Sequence, residues 1–470
     1  MIPSTGKIDR LLIELRPRLQ CANFFISFPR KFVDIESTTI ELSTDRITIV
    51  MKGERERYEI RTGDYFQLHT QTLSSLVIKN RYICFRVNTN KSVFGSERLC
   101  ASQENNDQNE EPTFRLACNV EPGERYRVLC SNCAGPLSDN SLSSDDPGIT
   151  FNRVLELPSE QLDTDDWFCH KHDHHHHGGG VEAESSTNLT TTFEPQQGDL
   201  FYGTFYALLH RSGLQRVHVR NDRFVYCKRC LQYLGSTRKN RSSVKLWYEN
   251  VHFQPAERST TTTIPLSLFR TDDSLELFHY LVRKTVREFN FVTHLGLPPS
   301  IKLMFELRRP GLQGEVFYLL MQIMDCQLSV FRAKHKRAGS SSSESCSDDV
   351  DDCKAEHESQ NVPHDGGDKE DPVRRDDEDE EDDDVFIDNA YQKHTIKLER
   401  HRAMKLMYQY EKYEEQPLFA FWREDSNVVN LELSEPMFSA AIRYLDANSS
   451  YVPECYRVNL GFCMSYLDIR

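Results

Sequence analysis

Two Cys-x-x-Cys pairs are the residues of this sequence best suited to chemistry. They are Cys130 with Cys133 and Cys227 with Cys230, and a glycine follows each pair within a few residues. A structural zinc ion takes four soft ligands in a tetrahedron, and each pair supplies two thiolates from one tight turn. The sequence therefore predicts a structural zinc site made by these four cysteines. The alternative is that the pairs are unrelated buried or redox thiols.

A second group of metal-binding residue types lies between the two pairs. It consists of Trp167, Cys169, His170 and His172, followed by a histidine run at 174–177. The cysteine and the two histidines could form a second metal site in this chain, or contribute a ligand to a metal in a partner. The alternative is a solvated loop with a buried Trp167. The histidine run itself is typical of a flexible polar insertion.

Two cysteines near the end of the sequence are weak candidates for a nucleophile. A reactive thiol needs a lowered pKa and an accessible position. Cys455 lies in a turn, and Cys463 lies in a strand predicted at 458–467, with no histidine close to either in sequence. The catalytic residue therefore stays unknown, with structural or incidental thiols as the alternative. No Walker loop, dinucleotide glycine pattern or HExxH helix occurs, which argues against those enzyme classes.

Composition limits the cellular setting and the partners. The chain has 470 residues, 14 cysteines and a net charge of −15. The acidity argues against general nucleic-acid binding. No signal-peptide pattern opens the sequence, and no apolar run is long enough to cross a bilayer, so we expect no membrane contact. Cysteines without a secretory signal indicate a reducing compartment. The cytoplasm is expected, with the nucleus as an additional location.

The order of strand, helix and low-complexity patterns predicts a β-rich α+β fold. Short β-rich segments at a spacing of about ten residues indicate an N-terminal antiparallel sandwich or barrel. Polar low-complexity segments are expected as flexible insertions. The predicted regions are 1–128 (β-rich), 129–240 (zinc knuckles, with insertions 138–148 and 173–198) and 241–470 (mixed α/β, with a disordered acidic insertion 338–385).

Two helices and two strands are predicted in the last region. Asp273 and Glu276 form a capping-box pattern that begins one helix, and Ser434 precedes the second. Segments 301–307 and 316–323 alternate or run apolar, as paired strands do.

Five motifs occur in an order that resembles the HECT-like ubiquitin ligase family described as binding the mitotic ubiquitin-conjugating enzyme. The motifs are residues 130–133, 153–160, 167–170, 227–235 and 457–459. The resemblance implies a HECT-like C-terminal domain. It also implies a ubiquitin-protein ligase that accepts ubiquitin from a conjugating enzyme and promotes substrate ubiquitination.

The same resemblance implies an alternative role for the chain. Relatives are linked to the metal-dependent endonuclease of pre-mRNA cleavage and polyadenylation, as non-catalytic cytoplasmic assembly factors. In that role the segment 157–172 would contact the nuclease's active site, with Cys169 as a candidate ligand to its metal. The family pattern has a Trp-Cys pair where this chain has Leu162 and Asp163. The metal contact is therefore not assigned to a single residue.

Overall fold

The structure is a computed structural model. It describes residues 8–16, 19–32, 35–90, 116–138, 148–158, 160, 194–238, 242–256, 264–290, 301–309, 315–333, 391–412 and 417–469. No helix in these ranges is long and apolar enough to cross a membrane.

The described part of the chain is mostly strand. The strands are β1 (Arg10–Arg16), β2 (Cys21–Ser27), β3 (Thr38–Leu42), β4 (Arg46–Met51), β5 (Glu56–Arg61), β6 (Ser74–Lys79), β7 (Tyr82–Asn88), β8 (Arg125–Cys130), β9 (Ile149–Thr150), β10 (Arg153–Glu156), β11 (Asp199–Tyr202), β12 (Tyr206–His210), β13 (Val217–Arg220), β14 (Phe224–Cys227), β15 (Tyr233–Thr237), β16 (Ser243–Trp247), β17 (Val251–Pro255), β18 (Ile301–Arg309), β19 (Glu315–Ala333), β20 (Gln392–Ile396), β21 (Leu398–Lys412), β22 (Val428–Glu432), β23 (Val458–Asn459) and β24 (Phe462–Asp468). The helices are α1 (Ser274–Asn290), α2 (Pro417–Glu424), α3 (Glu435–Ser449) and α4 (Glu454–Arg457).

A ten-stranded sheet, curled as a half-barrel, runs through the molecule. Its main strand order is β23-β24-β21-β19-β1-β2-β7-β6, and β18 joins β19 to β22. The long strand β19 pairs with β18 along its first half and with β1 along its second half. Strands from the first and last predicted regions therefore share one sheet. The predicted β-rich class is confirmed, while the boundaries of the three predicted regions stay predictions.

A second sheet packs against the N-terminal part of the first. Its four strands have the order β20-β5-β4-β3, and β20 pairs in parallel with β5. Apolar side chains of β1, β2 and β7 meet those of β4 and β5 in one core. The β-rich segments predicted in the N-terminal region are present, with seven strands, β1 to β7, before residue 90. They form a sandwich that β19 and β20, from far along the chain, complete.

The remaining strands surround the largest core. A seven-stranded sheet has the order β10-β11-β12-β16-β15-β14-β13, and a three-stranded sheet has the order β17-β8-β9. Both share a core with α1, α3 and one face of the ten-stranded sheet. The region that carries the Cys-x-x-Cys pairs is therefore packed directly onto the C-terminal helices.

Both predicted helices are present, with different caps. Asp273 caps α1 as predicted, since its Oδ1 accepts the N–H of Leu275 at 2.9 Å. The Glu276 carboxylate accepts the hydroxyl of Thr271 at 2.7 Å, and it is this hydroxyl that accepts the N–H of Asp273, at 3.3 Å. Ser434 precedes α3 but makes no side-chain cap, because its hydroxyl donates to Glu249 at 2.5 Å. That bond ties the start of α3 to the middle of the chain.

The prediction of one continuous strand at 458–467 is wrong. The segment is a hairpin, in which the two-residue β23 pairs with β24. Leu460 and Gly461 turn the chain with φ values of 50° and 84°. A two-residue hairpin requires positive φ at both central positions, where asparagine and glycine are usual. Because leucine is unusual at the first of these positions, the sequence pattern does not indicate a turn there.

A buried group of charged and polar side chains joins the first strand to the last ones. Glu14 of β1 is fully buried. Its Oε1 accepts Lys405 Nζ of β21 at 2.5 Å and the hydroxyl of Tyr466 of β24. Its Oε2 lies 3.3 Å from Arg16 Nε and 3.1 Å from Asn23 Nδ2. Burial would raise the pKa of Glu14, but Lys405, Arg16 and these hydrogen bonds lower it to about 2.

Replacing Glu14 by Gln should lower the free energy of unfolding by about 3–5 kcal/mol at pH 7, because it leaves a buried ammonium without its carboxylate. Since Lys405, Arg16 and the hydrogen bonds outweigh burial and lower the pKa of Glu14 from 4.5 to about 2, the stability that its carboxylate contributes is present above pH 4.5 and is lost as the pH falls through that interval. Denaturant unfolding at several pH values measures both effects. Glu41→Gln, at an exposed carboxylate of β3, is the control. Equal losses in the two variants would contradict the prediction.

Candidate metal centre

Each Cys-x-x-Cys pair begins at the end of a strand and forms the same backbone turn. We call residues 130–135 the first knuckle and 227–232 the second knuckle. The N–H of Ala134 donates to the carbonyl of Cys130 at 2.9 Å, and Leu231 donates to Cys227 at 3.0 Å. The N–H of each leading cysteine donates back across its turn, to Gly135 at 2.9 Å and to residue 232 at 2.9 Å. The two knuckles are therefore equivalent in backbone structure.

The residue after each second cysteine has a left-handed backbone. Ala134 has φ 52° and Leu231 has φ 59°. The glycines noted in the sequence serve other purposes. A Cβ on Gly135 would lie 3.1 Å from the Arg229 side chain, and one on Gly235 would lie 2.0 Å from the carbonyl oxygen of Lys245. Both glycines permit close packing beside the knuckles.

The two knuckles bring their four sulfur atoms together. Sγ of Cys130 lies 3.7 Å from Sγ of Cys230, and Sγ of Cys133 lies 3.8 Å from Sγ of Cys227. All four ligand atoms lie within 4.8 Å of one another. Metal–sulfur bonds of about 2.3 Å in a tetrahedron place sulfurs about 3.8 Å apart. The predicted ligands therefore converge as a set that could hold one tetrahedral metal ion.

Hydrogen bonds to sulfur and burial set the charge state of these thiols. Burial raises the pKa of Cys130 to about 12, although hydrogen bonds from the N–H groups of Cys133 and Asn132 act in the opposite direction. Burial also raises the pKa of Cys230, but the N–H of Gln232 and the Asn132 side chain lower it to about 6. Four such groups can lose their protons together only if a cation compensates their charge. The donor set therefore suits a divalent, thiol-preferring ion.

The two cations inside the second knuckle differ in their position relative to the sulfur atoms. The Arg229 side chain lies against Gly135 of the first knuckle, where its charge is close to the sulfurs. Lys228 points away, because its Nζ donates to the carbonyl of Gln215 at 2.8 Å. Of these two cations, Arg229 is therefore the one placed to offset the charge of the thiolates.

A short segment after β16 holds the two knuckles against each other. The N–H of Ser131 donates to the carbonyl of Asn250 at 3.0 Å. The Asn250 side chain donates to the carbonyl of Tyr233, just beyond the second knuckle, at 3.0 Å. Its neighbour Glu249 accepts the hydroxyl of Ser434, and burial raises the pKa of Glu249 to about 7. Sequence patterns do not reveal Asn250, because an isolated asparagine carries no spacing signal.

The second predicted cluster, Trp167, Cys169, His170 and His172, lies outside the described residues, as do the insertion at 139–147 and the acidic segment. The motif that leads to this cluster is described. Glu160 Oε1 accepts the N–H and the hydroxyl of Thr204 at 2.7 Å and 2.5 Å. The Nζ of Lys284 lies 3.7 Å from the same oxygen and donates to the carbonyl of Leu157 at 3.2 Å. Leu157 and Glu160 are thus held by this chain's own core.

The two candidate nucleophiles occupy different environments. Cys455 is exposed on α4. Cys463 lies on β24, packs against the largest core and pairs with Tyr408. Burial raises the pKa of Cys463, and the nearby Asp446 carboxylate raises it further. A raised pKa disfavours the thiolate that a nucleophile needs, so accessibility favours Cys455 over Cys463.

Comparison with known proteins identifies one family. The model of the HECT-like ubiquitin-conjugating enzyme (E2)-binding family matches residues 14–463. The match includes both knuckles, the 153–160 motif and the turn of the C-terminal hairpin. Searches of curated proteins and of solved structures found no match.

We expect about one equivalent of zinc per chain in purified protein, because four thiols at these distances complete a tetrahedral shell. Replacing Cys130 or Cys227 by serine should remove the metal and unfold the middle of the molecule, since metal binding and folding are coupled at such sites. Elemental analysis with a thiol-independent unfolding probe measures both effects. Cys455→Ser, outside the cluster, should retain the metal. Metal-free wild-type protein that stays folded would contradict the prediction.

Proposed function

Because this chain belongs to the HECT-like ubiquitin-conjugating enzyme (E2)-binding family, we propose that it binds a ubiquitin-conjugating enzyme and acts as a ubiquitin-protein ligase. The observation that carries the proposal is the family match, which spans 14–463 and so includes nearly the whole chain. The four-cysteine cluster supports it, since a structural zinc would hold a rigid surface for a partner protein.

Ubiquitin can pass to a substrate by two routes in this proposal. In the first, the chain holds the loaded conjugating enzyme while a substrate lysine attacks the thioester carbonyl. An isopeptide bond forms and the enzyme's thiol leaves with the proton. In the second, Cys455 first accepts ubiquitin as a thioester and then passes it to the lysine. Among the described cysteines only Cys455 is exposed, so the second route would depend on that one thiol.

Discharge of ubiquitin from a loaded conjugating enzyme separates these routes. The full chain should accelerate loss of the thioester, followed by gel electrophoresis under non-reducing conditions. Cys455→Ala should leave that acceleration unchanged in the first route and abolish it in the second. Only the second route leaves a thiol-sensitive ubiquitin adduct on this chain. Cys463→Ala serves as a control. No acceleration by any conjugating enzyme, with no adduct, would exclude the ligase function.

The alternative is a non-catalytic assembly factor in the cytoplasm, and also the nucleus, for the metal-dependent endonuclease of pre-mRNA cleavage and polyadenylation. Its support is the family resemblance together with the anchoring of Leu157 and Glu160. Leu157 is buried and Glu160 is bonded to Thr204, so these two residues of the segment are already engaged by this chain. Any contact by the 157–172 segment would then come from residues beyond 160.

Affinity purification from cytosol tests this alternative. The wild-type chain should recover the nuclease, and replacing Trp167, Cys169 and His170 together by alanine should reduce recovery at least about tenfold, as loss of central interface residues does. The matched control replaces Leu73 and Leu76, two exposed residues beside or on β6. Undiminished recovery with the triple variant would show that this segment is not the contact.

A further inference from the structure

The second knuckle carries an exposed leucine that its own backbone does not require. Leu231 is 69% exposed, and its φ is 59°. The first knuckle has Ala134 at the equivalent position, with φ 52° and the same hydrogen bond to its leading cysteine. A left-handed backbone costs a residue with a Cβ about 1–2 kcal/mol, whichever side chain it carries. Alanine is therefore sufficient for this turn, and the leucine side chain has a different purpose.

Two exposed cations accompany this leucine. Lys228 and Arg229 lie in the same turn, and neither forms an ion pair with a carboxylate of the described residues. The Lys228 Nζ is held by the carbonyl of Gln215, which fixes its direction without neutralising it. We call Lys228, Arg229 and Leu231 the knuckle tip. It places the exposed ammonium of Lys228 beside an exposed apolar side chain, on a chain whose net charge is −15.

We propose that the knuckle tip is the docking surface for the ubiquitin-conjugating enzyme, with Leu231 in an apolar depression of that enzyme and Lys228 facing a carboxylate at its border. This inference rests on the proposed function, because the family's printed description supplies the partner. Charge complementarity between the tip and an acidic border orients the encounter and raises the association rate.

The rigidity of the turn makes this surface suitable for docking. Binding costs less when the contacting side chains are already ordered. Leu231 sits on a turn closed by its N–H bond to Cys227 at 3.0 Å, next to the metal ligand Cys230. Its backbone therefore has little freedom to lose when a partner binds.

The chain offers a matched control in the C-terminal hairpin. Leu460 is also in a left-handed conformation, with φ 50°, and is 93% exposed. Truncating either leucine removes the same apolar group from the same kind of backbone. Only the site on the molecule differs, so the pair separates a docking effect from a general loss of exposed leucine.

Titration of the full zinc-loaded chain against a panel of purified ubiquitin-conjugating enzymes tests the proposal. Leu231→Ala should weaken binding at least about tenfold, as loss of a central interface anchor does. Lys228→Glu should slow association and reduce its dependence on salt. Leu460→Ala should bind as the wild type does. Metal content and unfolding temperature of Leu231→Ala should match the wild type, since Ala134 occupies the equivalent turn.

The titration tests the knuckle tip as docking surface separately from the proposed binding of a ubiquitin-conjugating enzyme. If the wild type binds a conjugating enzyme and Leu231→Ala binds equally well, the knuckle tip is not the docking surface, and the proposed function still stands. Loss of binding in Leu460→Ala alone would place docking at the hairpin and overturn the inference. If no enzyme of the panel binds the wild type, both proposals fail together.

Discussion

The convergence of four thiols from two distant turns is the constraint on which the middle of this protein depends. The two knuckles end strands of different sheets, β8 and β14, and their sulfurs lie within 4.8 Å of one another. Four thiols so close repel one another once ionised, so this arrangement calls for a cation at its centre. A cation bound there would tie the three-stranded sheet to the seven-stranded sheet, which already share the largest core.

One short segment also links the knuckles to the rest of the fold. Asn250 bonds to Ser131 of the first knuckle and to Tyr233 just beyond the second, and its neighbour Glu249 accepts a hydrogen bond from Ser434 before α3. That helix packs on the ten-stranded sheet within the largest core. The four-cysteine cluster is thus linked to the C-terminal elements by a short series of direct contacts.

Sequence patterns predict the local features of this protein well. The early strands, the Asp273 cap and the four converging cysteines all depend on residues a few positions apart, or on a spacing specific to metal sites. The pairing of β1 with β19 and of β5 with β20 joins residues more than three hundred positions apart. Such pairings leave no local pattern, so the shared sheet could not be foreseen. The hairpin was hidden for a different reason, because Leu460 replaces the usual turn residue.

The place of β1 between β2 and β19 has a consequence for biosynthesis. As the polypeptide leaves the ribosome, β1 and β2 can pair at once, but one edge of β1 stays open until β19 has been made. The carboxylate of Glu14 stays without its ammonium and phenol partners for longer still, until β21 and β24 emerge. An open strand edge invites pairing with other chains. The nascent chain therefore exposes this strand edge to such pairing until the residues of β19 have been made.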